Sequence, residues 1–342
     1  MTHLSNRSTL HRRMSSFVDW IRGGDKDELI IKQSGDIRDR ISNQAEKDGL
    51  TVRSTPNSGS FAKKTGLRKH LLGDSSVEGQ DVDLPFVISP KHEDGTKIDE
   101  LLGRFDRYAA TCYPQTQRKR TRSSIQLDFV ASKLRYDLVP MLAVAGDDEA
   151  QILLRGDGQR RRTSVQKHID FVTRRNGASN ALAGRVRFNE CVRLLKWWRE
   201  FRQDNARVIE DVPSILLDLL CAHAYDRCAV EETYAGTLAR WFDLLAGTVR
   251  RRDLVAFADF GSRASASPGA LWAVLDPVNA DNNIASQWSS FQIDELGDWF
   301  EEGFDAINRA IAADHRGDDS ESLKSLIELF GNPFKHYCER DS

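Results

Sequence analysis

The stretch that most constrains this chain is residues 57–86, NSGSFAKKTGLRKHLLGDSSVEGQDVDLPF, in which Gly59-Ser60 is followed by Asp81-Val82-Asp83. On an extended strand, residues two apart leave the same face, so Asp81 and Asp83 stand side by side. The apolar run after them, Leu84 to Ile88, reads as the remainder of a buried strand. Neighbouring carboxylates repel unless a cation lies between them. Hard divalent ions with oxygen ligands meet that need, and Mg2+ usually arrives with substrate phosphates. A Gly-Ser ahead of the pair suits a loop entering a helix, where N–H groups and the Ser hydroxyl can hold a closely approaching phosphate. Either half alone is a weak signal, since Asp-x-Asp also occurs in turns and caps. Together, and in this order, they point to metal-assisted nucleotidyl transfer. Lys69 to Gln80 is expected as a polar excursion between helix and strand.

The chain is 342 residues long, enough for two lobes with ample core. Its net charge of −2, with 29% charged residues, gives no global bias toward nucleic acid or membrane. Local basic clusters stand at 118–120, 160–162, 174–175 and 250–252, and each alone reads as a solvated face. Five cysteines without CxxC spacing argue against a disulfide framework and a zinc site, and for a reducing cytoplasm. The N-terminus has no apolar signal-like core, and no stretch approaches bilayer length.

Taken in order, residues 8–22 read as a short amphipathic helix ended by Gly23-Gly24. A long helix from Asp25 to Gly49 follows, with Leu29, Ile30, Ile37, Ile41 and Ala45 as its stripe. A strand at Leu50–Ser54 then enters the Gly-Ser loop. Ile98 to Cys112 is helical, and Ser124–Ala131 with Leu134–Val144 reads as a strand hairpin. From Thr163 the character turns helical, giving a catalytic lobe at 1–162 and a helical lobe at 163–342. Expected there are helices at Ala181–Gln203 and Ile215–Tyr225, two more within 232–258, and two from Ile284 to about Ala312 and Ser320 to Phe330. A small-residue loop at Ser262–Pro268 and an Asp/Asn-rich turn, DPVNADNN, lie between.

A two-metal site wants a third carboxylate, and each hairpin strand carries one. Asp128 shares its face with Gln126, opposite Ile125, Leu127 and Phe129. Asp137 sits in Tyr-Asp-Leu-Val-Pro. Alternation alone does not choose between them.

The Gly59-Ser60 loop, Asp81-Val82-Asp83, Tyr136-Asp137-Leu138-Val139-Pro140, the helix VRLLKWWR, Pro213-Ser214 and LDPVNADNNIA, in this order, resemble the bacterial CD-NTases, relatives of animal cyclic GMP-AMP synthase and oligoadenylate synthase. The resemblance runs from about residue 25 to Phe334. It implies an α+β fold: a polymerase-β-like nucleotidyltransferase lobe, with a mixed sheet and long N-terminal helix, plus a helical second lobe. It assigns the third metal-binding carboxylate to Asp137 and leaves Asp128 at the rim. It also gives Lys196 and Ser214 the donor triphosphate to hold, beside Gly59 and Ser60. Taken from the residues alone, Lys196 reads as a snorkelling side chain and Ser214 as a plain N-cap. The implied reaction uses two Mg2+ ions, with Mn2+ as the alternative, to join ATP and other nucleotides into a cyclic oligonucleotide for anti-phage defence. Cyclic triadenylate is the expected product. The implied regulator is a HORMA-domain protein with its partner ATPase, because the ending GNPFKHYCERDS reads as too short for a conjugated tail. Double-stranded DNA is a further expected ligand. Competing readings are template-independent nucleotide addition to RNA, and a catalytically silent assembly subunit.

Overall fold

In the computed structural model, which describes residues 8–22, 26–89, 97–154, 158–181, 186–261 and 269–340, the chain opens with α1 (Thr9–Arg22) and α2 (Asp27–Lys47). Next come β1 (Val52–Ser54), the short α3 (Gly59–Ala62), a hairpin of β2 (Lys69–Leu72) and β3 (Ser75–Glu78), β4 (Gln80–Ile88) and α4 (Ile98–Cys112). Five strands follow: β5 (Gln117–Arg120), β6 (Ile125–Phe129), β7 (Leu134–Val144), β8 (Asp147–Leu154) and β9 (Arg160–Thr163). Helices close the chain: α5 (Val165–Ala181), α6 (Phe188–Gln203), α7 (Ser214–Cys228), α8 (Tyr234–Arg251), α9 (Ser290–His315), α10 (Asp319–Phe330) and α11 (Asn332–Arg340).

The chain divides into a sheet unit, 24–66 with 79–170, and a helical unit, 1–23 with 67–78 and 171–342. It is more interleaved than one boundary at 162/163. Helix α1 belongs to the helical unit because its stripe of Leu10, Met14, Phe17, Val18 and Ile21 is buried in that unit's core. The excursion at 69–80 is the β2–β3 hairpin, tied to α6 where Glu200 accepts from Leu71 N at 3.1 Å and lies 2.9 Å from His70 Nδ1.

In the sheet unit the strand order is β1-β4-β7-β6-β5, with β8 beside the far half of β7 and β9 on β8. Strands β4 and β7 run parallel; the other pairs are antiparallel. Helix α2 buries Ile30, Ile37, Ile41 and Ala45, whereas Leu29 lies outside the stripe at 38% exposure. Gly49, at φ 72°, ends α2 in the left-handed conformation that glycine adopts without strain. Ile98, Leu101, Leu102 and Phe105 of α4 join α2 in covering Val82, Leu84, Phe86, Tyr136 and Leu138. One sheet face is thereby committed to the core.

The helical unit is built around aromatic side chains. Phe17 packs against Trp197, Phe330 and Phe334, with ring centroids 5.4, 5.4 and 4.6 Å away. The indole N–H groups of Trp197, Trp241 and Trp272 donate to Phe330 O, Ala229 O and Asp253 O at 2.9, 2.8 and 3.0 Å, so their burial leaves no donor unmet. Two expectations change here. Residues 232–258 hold one helix, α8, whose stripe stays buried through Val249. The helix expected from Ala181 starts at Phe188, where Arg187 N donates to Glu190 and closes the N-terminus. The intervening 182–185, the Gly23-Gly24 stop, the 262–268 loop and the final two residues lie outside the described residues. Helix α11 was not expected, and Phe334 seats it in the core.

The Asp/Asn-rich segment is a self-bonded turn. Asn283 accepts from Val274 N and Ala285 N at 3.0 Å each and donates to Trp272 O at 2.9 Å. Asp276 accepts from Val278 N at 2.8 Å and Asn282 Nδ2 at 3.0 Å. Short amides and carboxylates here replace a regular ladder, which explains their density. Among the described residues, no helix is long and apolar enough to cross a membrane.

Candidate active site

The sheet face opposite α2 and α4 carries the chemistry. In the β4–β7 register Asp81 lies beside Arg135 and Asp83 beside Asp137. In the β6–β7 register Asp128 lies beside Arg135 and Gln126 beside Asp137. Registered partners share a face, so all six side chains stand on the same side, with Val82, Leu84, Tyr136 and Leu138 buried on the other. Neighbouring strands are about 4.8 Å apart, and residues two apart on a strand about 6.6 Å. Asp81, Asp83 and Asp137 are thus a compact acidic corner. Asp128 shares the face, which is why alternation could not exclude it. The register puts it beside Arg135 instead of the Asp81–Asp83 pair.

Burial pushes the Asp137 carboxyl above the usual carboxylate range, and the charge of Asp81 adds to the shift. Ser124 Oγ, donating to Asp137 Oδ1 at 2.8 Å, works against it, as does Arg135. Arg135 bridges the face: its Nε donates to Asp128 Oδ1 at 2.8 Å, while Nη1 is 3.4 Å from Asp81 Oδ1. Arg135 escaped the sequence reading. Its only signal was a basic residue alternating with Asp137 on one strand.

Gly59 opens α3 at φ 67° and lies directly against Asp83. A Cβ there would come within 2.8 Å of Asp83 Cγ and closer still to Oδ2, so only glycine fits. Thr65 N donates to Ser60 O at 2.9 Å, closing the turn. Gly66 is a second close approach: a Cβ would stand 3.1 Å from Ser60 Oγ.

Lys196 and Ser214 belong to the helical unit, on α6 and α7. Lys196 does not snorkel. Its Nζ pairs with Asp218 Oδ1 at 2.8 Å, both side chains being nearly fully buried. Ser214 is the first residue of α7, after Pro213, and its hydroxyl accepts from Arg199 Nη1 at 3.0 Å.

Among the described residues, no three His, Cys, Asp or Glu side chains already converge as ligands of one ion. The donor set at the acidic corner nevertheless suits a hard divalent cation. It is anionic and all-oxygen, one member titrates high, and the Gly59 backbone is packed against another.

A mixed sheet with carboxylates on one face, beside a glycine-opened turn, defines a polymerase-β-like nucleotidyltransferase. Residues 9–176 match the family model described as the Second Messenger Oligonucleotide or Dinucleotide Synthetase domain, so this part of the chain is a CD-NTase domain. It is 27% identical over 325 residues to a cyclic AMP-AMP-AMP synthase of Escherichia coli (strain MS 115-1), covering 91% of this chain and 94% of that protein. The solved structure of E. coli MS115-1 CdnC with ATP matches with a TM-score of 0.74 at 22% identity, over 95% of this chain and 98% of that one. The CdnC:HORMA-deltaN complex matches with a TM-score of 0.74 at 24% identity, over 96% and 99%. At these identities the structural likeness establishes a shared fold.

Proposed function

We propose that this nucleotidyltransferase condenses ATP into cyclic triadenylate at the Asp81–Asp83–Asp137 corner, under the control of a HORMA-domain partner. The observation that carries the reading is the β4–β7 register, which sets Asp137 beside Asp83 on the face that Gly59 abuts. Asp81, Asp83 and Asp137 would hold two Mg2+ ions, or Mn2+ in their place. Bound there, such ions lower the pKa of an attacking ribose hydroxyl and offset charge building on the departing pyrophosphate. Ser124 orients Asp137 by its hydrogen bond. Gly59 and Ser60 offer a turn that a donor phosphate can approach. Arg199 occupies an acceptor site on the Ser214 hydroxyl, which leaves its proton for a triphosphate oxygen. Lys196, paired with Asp218, is the second nucleotide-binding residue proposed for the helical unit. Displacement at the α-phosphate by a ribose hydroxyl needs no protein nucleophile, so the cysteines and histidines take no part.

The product assignment is supported by the name of the cyclic AMP-AMP-AMP synthase relative, and the HORMA partner by the complex of the structural neighbour. Duplex DNA has weaker support, because the basic clusters are largely answered by carboxylates. Arg118 pairs with Asp106, Arg120 with Asp99 and Arg162 with Asp147. Arg175 pairs with Asp226 and Asp259, and Arg250 with Asp298 and Glu301. Incubating the protein with labelled ATP, Mg2+ and RNA separates the readings: cyclic trinucleotide supports this one, and extended RNA supports a tailing enzyme.

A further inference from the structure

Arg135 stands between two acidic groups of unequal role. It holds Asp128 tightly, at 2.8 Å through Nε, and Asp81 loosely, at 3.4 Å through Nη1. All three are partly exposed, so none is locked by burial. Asp81 belongs to the acidic corner; Asp128 does not, and its register partner is Arg135 itself. A guanidinium this close to Asp81 both relieves carboxylate repulsion and competes with any other cation for the same oxygen.

Resting on the assignment of Asp81, Asp83 and Asp137 as the divalent-ion site, we propose that Arg135 is the resident counter-cation of that site and Asp128 its tether. Asp128 draws the guanidinium away from Asp81, so that the carboxylate can be surrendered to a metal ion. Arg135 and Asp128 are positioning residues and ligate nothing. The two substitutions should therefore move metal affinity in opposite directions. Removing the guanidinium removes the competitor. Neutralising Asp128 hands the guanidinium to Asp81 as a sole partner. A pair with a merely structural role would lower stability in both variants and leave metal affinity alone.

Mn2+ titration of the full chain, with unbound ion followed by electron paramagnetic resonance, reads this without turnover. Melting in EDTA checks that each variant is folded. Arg135→Met should tighten Mn2+ binding about fivefold, the scale of a partly exposed ion pair, and Asp128→Asn should weaken it by about as much. Arg135→Gln, which stays polar but removes the charge, should behave like Arg135→Met. In the Arg135→Met background, Asp128→Asn should have no further effect, because the tether then holds nothing. Unchanged or weaker binding in both Arg135 variants overturns the proposal. So does an equal Asp128→Asn effect in both backgrounds. The underlying assignment fails separately: if Asp81→Asn with Asp83→Asn binds Mn2+ as the native chain does, the metal site is not here. Loss of Mn2+ in that double variant, with no shift from Arg135 or Asp128, sinks the tether alone.

Discussion

Asp137 lies on β7, next to β4, whereas Asp128 lies one strand further out on β6, and that difference separates their chemistry. Asp137 is half-buried beside Asp83 and bonded by Ser124, whereas Asp128 is spent on Arg135. At saturating Mg2+, Asp137→Asn should cost several orders of magnitude in rate, and Asp128→Asn little. Steady-state kinetics of both variants checks this, and the reverse order would move the third carboxylate to β6. Gly59 makes an equally sharp demand. A side chain there meets Asp83 and must also adopt a positive φ, which costs about 1–2 kcal/mol for a non-glycine residue. Gly59→Ala should therefore lower the melting temperature and abolish synthesis together. A variant with native turnover would show that the turn does not position Asp83.

At the scale of elements, α6 and α7 are joined by a buried charge pair. Lys196→Ala strands the Asp218 carboxylate and should destabilise the fold by about 3–5 kcal/mol, whatever it does to nucleotide affinity. Lys196→Met with Asp218→Leu should recover most of that loss, as denaturant titration would show. Glu295 of α9 ties down another segment, accepting from the backbone N–H groups of Arg207, Val208 and Ile209 at 2.6, 2.8 and 2.9 Å. Burial alone would raise its pKa, but these donors and Arg207 hold it below the usual carboxylate range. A depressed carboxylate adds stability above its unfolded pKa and loses it as pH falls through the folded value. The stability gap between native chain and Glu295→Gln should thus be full at neutral pH and shrink below about pH 4. A gap constant through that range would mean the charge contributes nothing.

The elements legible in the sequence were those with one apolar stripe or a clean alternation, such as α2, α4 and β7. Strands β5 and β9 were hidden because QRKR and RRRT read as solvated charge; they are sheet edges, where charge blunts unwanted pairing. Helix α5 begins where the sequence turns helical at Thr163, but its polar composition, VQKHIDFVTRRNGASNA, gave it no bounds of its own. In the site, Asp81 and Asp83 were legible because their relation is local, two residues on one strand. Arg135 was not, since its role depends on registers with β4 and β6 that no local pattern encodes.

For the whole molecule, each unit carries its own core. Both are largely aliphatic, but the helical unit's also holds many Trp and Phe side chains, whereas the sheet unit's holds Phe and Tyr and no Trp among the described residues. Gly59, Asp81, Asp83 and Asp137 of the acidic corner all lie within the sheet unit. Mass spectrometry of products from ATP and Mg2+, run in parallel on the native chain and on Asp81→Asn with Asp83→Asn, tests the account most directly. It predicts cyclic triadenylate from the native chain, and a folded double variant that makes none. Cyclic product from the double variant at the native rate would contradict it.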